Sequence, residues 1–219
     1  MKYYKYSMDM KVLNIFCCLI FIPIFIMIYS FGWYECFGLQ VLILYFFWMF
    51  LHEFLHGVGF SLAKDINHKN IVYGANLEKG IFYCMCKELI SKKNIMISLM
   101  FPFTFIGIVT LIIGIMISNK VLIVLSLFNI AGCAGDIAMF YSFLRLPSFK
   151  YLDLDDCTGF VLVSENDLSK HKLFGMKLTE SGDYKKLGKA KDYKKFTVSK
   201  LSWYVFAGLI ILFILSFFM

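Results

Sequence analysis

The stretch that decides the fold runs from Val41 to Ala63 and reads VLILYFFWMFLHEFLHGVGFSLA. Apart from His52, Glu53 and His56 it is almost entirely apolar, and it is long enough for one helix to cross a bilayer. Ionisable side chains within such a segment are costly unless they face a polar cavity, a partner or a metal. These three residues are therefore candidate functional groups.

The three residues form the pattern His-Glu-Phe-Leu-His. Two histidines four positions apart lie on one face of a helix, about one turn from each other. This spacing lets both imidazoles, of His52 and His56, reach one tetrahedral Zn²⁺ ion, while the intervening Glu53 can act as a general base on a water molecule. The competing interpretation is a pair of histidines that are satisfied by hydrogen bonds within a helix bundle.

The composition indicates a membrane protein. The chain is 60% hydrophobic and its mean hydropathy is +0.73, which is too apolar for a soluble domain of 219 residues. We therefore predict an all-α polytopic membrane protein with a short cytoplasmic β-hairpin. Hydrophobic runs that are long enough to span occur at 12–31, 40–63, 95–117, 121–144 and 201–219.

These runs divide the chain into a membrane core (1–146), a cytoplasmic segment (147–200) and a final transmembrane helix (201–219). The first run resembles a secretory signal, but its length and the lack of a cleavage site favour a retained span. With the N-terminus in the cytoplasm, every Lys and Arg except Lys120 lies inside. The predicted localisation is the cell membrane, with the C-terminus outside. The net charge of +7 is thus a topology signal and does not indicate nucleic-acid binding.

A zinc protease needs a third protein ligand, and Asp136 is the only acidic residue besides Glu53 in any predicted span. Counting the helical rise places Asp136 roughly 13 Å, and His56 roughly 12 Å, from the cytoplasmic ends of their helices. Asn129 lies seven residues before Asp136 and shares its face, where it can bind a substrate carbonyl, hold a ligand in place or make a plain interhelical hydrogen bond. Small residues should let the two helices approach each other: Gly57, Gly59, Ala131, Gly132, Ala134 and Gly135.

Two features lie between the spans. Residues 71–76 and 80–86 are β-prone runs that predict a hairpin, with an ordinary connector as the alternative. Cys84 and Cys86 are close enough to clasp a metal, although reduced cysteines without a ligand are the default. Pro102 removes one backbone hydrogen bond and is expected to bend the third span.

With these residues the sequence resembles the site-2 protease-like intramembrane zinc metalloproteases, and most closely their small bacterial members, the zincin peptidases. The resemblance covers roughly residues 40–165. It rests on His-Glu-x-x-His in one span and on an asparagine followed by an aspartate in a later one, here Asn129 and Asp136. This chain lacks the proline that usually separates those two residues and the glycine that usually follows the aspartate. The resemblance also implies that the hairpin offers an edge strand to an extended substrate.

We therefore expect a zinc metalloendopeptidase that cleaves transmembrane or membrane-associated proteins within or beside the bilayer. Zn²⁺ is the predicted cofactor, with His52, His56 and Asp136 as ligands and Glu53 as the base. Membrane lipid and a protein substrate are the predicted partners. The alternatives are an inactive zinc-binding scaffold or regulator, and a transporter that uses the same groups as a proton relay.

Overall fold

The computed structural model describes residues 1–36, 38–63, 66–76, 81–154 and 159–184. Its helices are α1 (Met10–Ser30), α2 (Leu39–Ser61), α3 (Lys92–Pro102), α4 (Thr110–Met116), α5 (Lys120–Gly132) and α6 (Ala134–Leu144), with 3₁₀ turns at Trp33–Cys36 and His68–Asn70 and a π-helix at Phe103–Val109. Its strands are β1 (Lys2–Met8), β2 (Ile71–Asn76), β3 (Ile81–Cys86), β4 (Ile90–Ser91), β5 (Lys150–Asp153), β6 (Gly159–Ser164) and β7 (Met176–Asp183).

Five of the strands form one antiparallel sheet in the order β4-β5-β6-β1-β7. The prediction of an all-α fold is therefore wrong, because the protein is mixed α/β. Strand β1 lies between β6 and β7, so the residues before the first helix pair with residues from the other end of the described chain. The predicted hairpin is confirmed as β2 and β3, which pair from Ile71 opposite Cys86 to Asn76 opposite Ile81.

The sequence concealed the sheet because its strands are short and partly polar. In β1 the side chains of Tyr4 and Tyr6 are only 1% and 2% exposed, while Lys5 between them is less buried. Successive side chains of a strand point to opposite faces, so a half-buried strand alternates in polarity. A search for long apolar runs detects helices that span a membrane and passes over such strands.

An aromatic core joins the sheet to the end of α6. Phe143 of α6 packs edge-on against both Tyr151 of β5 and Phe160 of β6, and the last two rings stack on each other. Tyr6 of β1 stacks on the same Phe160. The sheet therefore holds the end of α6 in a fixed position, and α6 carries one of the candidate metal ligands.

In the described part of the chain, three helices are long and apolar enough to cross a membrane: Met10–Ser30, Leu39–Ser61 and Lys92–Met116. Helices α5 and α6 pass the same test together, but they bend by 47° where they meet at Cys133. The predicted span 121–144 is thus a broken helix and not a straight one. The predicted span 201–219 lies outside the described residues, and the predicted sidedness and domain divisions stay predictions.

Candidate metal centre

Helix α2 presents both histidines of the motif on one face. Their Nε2 atoms lie 3.1 Å apart, and their rings are nearly perpendicular. His56 is buried, and His52 retains a side-chain exposure of 14%. The four-residue spacing therefore places both imidazoles side by side on one face, as the helical period predicts. The edge of the cluster at His52 stays accessible.

Asp136 joins the two histidines from the first turn of α6. One of its carboxylate oxygens lies 3.2 Å from His52 Nε2 and the other lies 3.5 Å from His56 Nε2. Among the residues that the structure describes, these three form the one group of His, Cys, Asp and Glu with ligand atoms close enough to share a metal ion. The sequence predicts that Asp136 and the two histidines lie at similar depths along their helices, and in the structure their side chains are in direct contact.

The outer nitrogen of His56 is held by the backbone of α3. His56 Nδ1 donates to the carbonyl oxygen of Ser98 at 2.9 Å, and the Ser98 hydroxyl donates to the carbonyl of His56 at 2.8 Å. In an α-helix that Ser98 carbonyl would accept the amide of the residue four positions later, which is Pro102 and has no N–H. The proline therefore leaves the carbonyl available to the histidine, and the π-helix begins directly after it.

The outer nitrogen of His52 is held by Asn129 of α5. The distance from His52 Nδ1 to Asn129 Oδ1 is 2.9 Å, and Asn129 Nδ2 donates to the carbonyl of Pro102 at 3.1 Å. Because a carbonyl can only accept, the second bond fixes which end of the amide faces the histidine. The structure thus shows an interhelical hydrogen bond between Asn129 and the candidate ligand His52, and a contact of Asn129 with a substrate carbonyl stays a prediction.

These contacts allow a test of whether the residues suit zinc. Both Nδ1 atoms donate to oxygens, so in the neutral imidazoles each Nε2 carries a lone pair directed at the cluster. Tetrahedral ligand atoms at zinc distances are separated by about 3.3 Å, and the measured separations are 3.1, 3.2 and 3.5 Å. Three lone-pair donors at that spacing, each histidine braced by an outer hydrogen bond, fit a zinc ion.

Glu53 lines a cavity of about 220 Å³ beside the cluster. The cavity also contacts His52 and Asn129, and its other walls are mainly aromatic or apolar: Tyr45, Trp48, Met49, Phe82, Phe128 and Gly132. The Glu53 carboxylate faces the backbone amide of Cys84 in β3. Phe82 of β3 belongs to the same wall, so the hairpin borders the partly apolar space that Glu53 and His52 share.

Strand β3 is joined to the large sheet through the carboxylate of Asp153, a residue that the sequence analysis did not identify as part of the site. Asp153 of β5 accepts a hydrogen bond from the Cys86 amide at 3.0 Å and another from the Tyr151 hydroxyl at 2.6 Å. Burial raises the pKa of the Asp153 carboxyl to about 6, and the two hydrogen bonds oppose part of that rise. No pattern in the sequence marks this link, because its partners are far apart along the chain.

The sequence analysis expected the glycines to let the histidine helix approach the helix that carries Asp136, but the glycines of α2 face other elements. A β-carbon at Gly59 would lie 2.5 Å from the Ser98 Cα, and one at Gly57 would overlap the ring of Tyr73. A β-carbon at Gly132 or Gly135 would have no neighbour within 4 Å. The close approach that glycine permits is therefore between α2 and the elements α3 and β2, and not between α2 and the helix that carries Asp136.

The two cysteines of the hairpin lie outside the His-His-Asp group. Burial raises the pKa of the Cys86 thiol to about 11 and raises that of Cys84 further. Since the thiolate is the form that binds metals, these thiols are poor ligands at neutral pH. The default interpretation of reduced cysteines suits this geometry better than a metal clasp.

The comparison with known families agrees with the site. A family model described as "Putative zincin peptidase" matches residues 45–151. The matched stretch contains all three residues of the cluster together with Glu53 and Asn129. Neither a curated protein nor a solved structure matches the chain. The family match and the His-His-Asp cluster together support a zinc peptidase.

Proposed function

We propose that the protein is an intramembrane zinc metalloprotease of the site-2 protease-like type, which hydrolyses peptide bonds of membrane-embedded or membrane-adjacent proteins. The observation that carries the proposal is the cluster of His52, His56 and Asp136, whose ligand atoms have tetrahedral spacing beside the cavity that Glu53 lines. The family match over residues 45–151 supports the peptidase part.

The three residues of the cluster would hold the metal. When it is bound, a zinc ion supplies Lewis acidity toward water and toward a peptide carbonyl. Ser98 and Asn129 keep the two imidazoles in the tautomer that leaves each Nε2 available, because both accept the Nδ1 proton. Asp136 contributes a negative charge that favours a divalent cation.

Glu53 would act as the general base and then as the general acid. Its carboxylate takes a proton from the attacking water and returns that proton to the amine that leaves. The cavity that Glu53 lines has mainly aromatic and apolar walls, which leaves few polar groups to compete for the carboxylate. A backbone segment must be extended to enter the site, so a transmembrane substrate has to unwind locally.

The placement within a membrane is argued from the surface of the helices. Large apolar side chains of α1 and of the α3–α4 span are exposed in the isolated chain: Ile15, Leu19, Ile22, Ile26, Ile112, Ile115 and Met116. An apolar surface of this extent on two helices of membrane-spanning length is suited to lipid. Since α2 is itself a candidate span, the metal cluster would lie below the membrane surface and would need a polar path for water.

The test combines metal content with cleavage. Full-length protein purified in detergent is examined for zinc by mass spectrometry and for cleavage of single-span model peptides, beside the variants His56→Ala, Asp136→Asn and Glu53→Gln. We expect about one zinc per chain in the wild type and in Glu53→Gln, with cleavage by the wild type only.

Each part of the proposal has its own contradicting outcome. Wild-type levels of zinc in Asp136→Asn would refute the third ligand, and normal cleavage by Glu53→Gln would refute the base. A wild type that holds zinc and cleaves nothing would favour the inactive scaffold. Folded, chelator-free protein without zinc would favour the proton relay.

A further inference from the structure

A much larger cavity lies where α3 meets the sheet. Its volume is about 1060 Å³, and it shares no lining residue with the cavity beside the metal cluster. One wall is apolar and comes from α3 and α6. It consists of Met96, Ile97, Met100 and Phe140. The opposite wall comes from the sheet and the turns that lead into it, so the groove lies at the junction between the helices and the strands.

The rim of this groove is basic. Lys92, Lys93 and Lys150 line it, and Glu165 is the one acidic side chain among its lining residues, which leaves a net side-chain charge of +2 from three cations and one anion. Lys92 already has a partner within the protein, because its ammonium donates a hydrogen bond to the carbonyl of Leu146 at 2.5 Å. Lys93 and Lys150 are exposed. Within the described ranges neither has an ion-pair partner.

The basic rim and the apolar wall follow each other along a candidate span. The span that contains α3 begins at Lys92. The apolar wall continues from that point along the first turns of the same helix, through Met96 and Met100. An occupant must therefore combine an anionic end at the rim with an apolar body that extends along the helix.

We infer that this groove binds a phospholipid with an anionic headgroup. Lys93 and Lys150 hold the phosphate end, and an acyl chain lies against the wall of α3 and α6. Lysines at a membrane boundary attract anionic headgroups in this way. A soluble anion would gain nothing from the apolar wall, and a zwitterionic lipid would gain little from the excess of positive charge. The inference concerns a surface away from the metal cluster and does not depend on peptidase activity.

The experiment measures lipid retention by native mass spectrometry. Full-length protein in detergent is titrated with phosphatidylglycerol or with phosphatidylcholine of the same acyl chains, as wild type and as the double variant Lys93→Gln/Lys150→Gln. We expect the wild type to prefer phosphatidylglycerol. The double variant should bind it on the order of thirty-fold more weakly, while binding phosphatidylcholine as before.

A matched control is the double variant Lys170→Gln/Lys172→Gln, which removes the same charge from two exposed lysines outside the groove. It should retain the wild-type preference. Equal binding of the two lipids by the wild type would overturn the inference, and so would an equal loss of affinity in the two double variants. Displacement of the lipid by excess glycerol phosphate would also overturn it, because it would show that the apolar wall contributes nothing.

Discussion

The close approach of α2 and α3 at Gly59 should control metal affinity. In Gly59→Ala the new methyl carbon would lie 2.5 Å from the Ser98 Cα, whereas carbon atoms pack at about 3.5–4.0 Å. Because the obstacle is backbone, α3 has to recede from α2 by roughly 1 Å. The hydrogen bond from His56 Nδ1 to the Ser98 carbonyl, now 2.9 Å long, would then exceed the bonding range.

Loss of the contact that orients a histidine ligand typically lowers metal affinity about 10–100-fold, and overpacking costs about 1–3 kcal/mol of stability. We expect both effects in Gly59→Ala, measured by competition for zinc with a chelator and by thermal unfolding. Gly135→Ala is the matched control, because its methyl group would meet nothing within 4 Å, the residue does not line the cavity beside the cluster, and alanine favours a helix. A Gly59→Ala protein that binds zinc as tightly as the wild type would refute the idea that α3 holds His56 in place.

Three further predictions concern the surroundings of the site. Pro102→Ala restores an amide that competes for the Ser98 carbonyl, so zinc affinity should fall while the protein stays folded; unchanged affinity would contradict this role of the proline. Asn129→Leu removes the hydrogen bond to His52 and should weaken zinc binding about 10–100-fold in the same competition assay, whereas an unaffected site would refute its orienting role. Burial raises the pKa of Asp153 to about 6, above its value of about 4 in the unfolded chain, so the unfolding free energy should decrease as the pH rises from about 4 to about 6. Asp153→Asn should abolish that decrease in denaturant titrations, and an identical slope in wild type and variant would assign it to another group.

The candidate ligands could be picked out from the sequence because each depends on a local rule. The four-residue spacing of His52 and His56 fixes their common face through the helical period alone, whatever the helix packs against. Asp136 stands out because an acidic residue in an apolar span is rare and needs a reason. Glu53 follows from its position between the two histidines. The apolar runs similarly located four helical segments among the described residues, since length and hydropathy are local properties.

The groups that hydrogen-bond to the candidate ligands were not predictable, because they come together only through tertiary contacts. The Ser98 carbonyl has no side-chain signature, and Pro102 indicates that a carbonyl is left without its helical partner but not what binds it. Asp153 contacts the hairpin across the sheet, and strand β1 finds its partners near the other end of the described chain. The sequence by itself thus determined which side chains form the candidate metal cluster, because each is marked by a pattern within a single helix. The tertiary structure decided the sheet, the bend at Cys133 and the orientation of each imidazole, because these depend on packing and hydrogen bonds between distant segments.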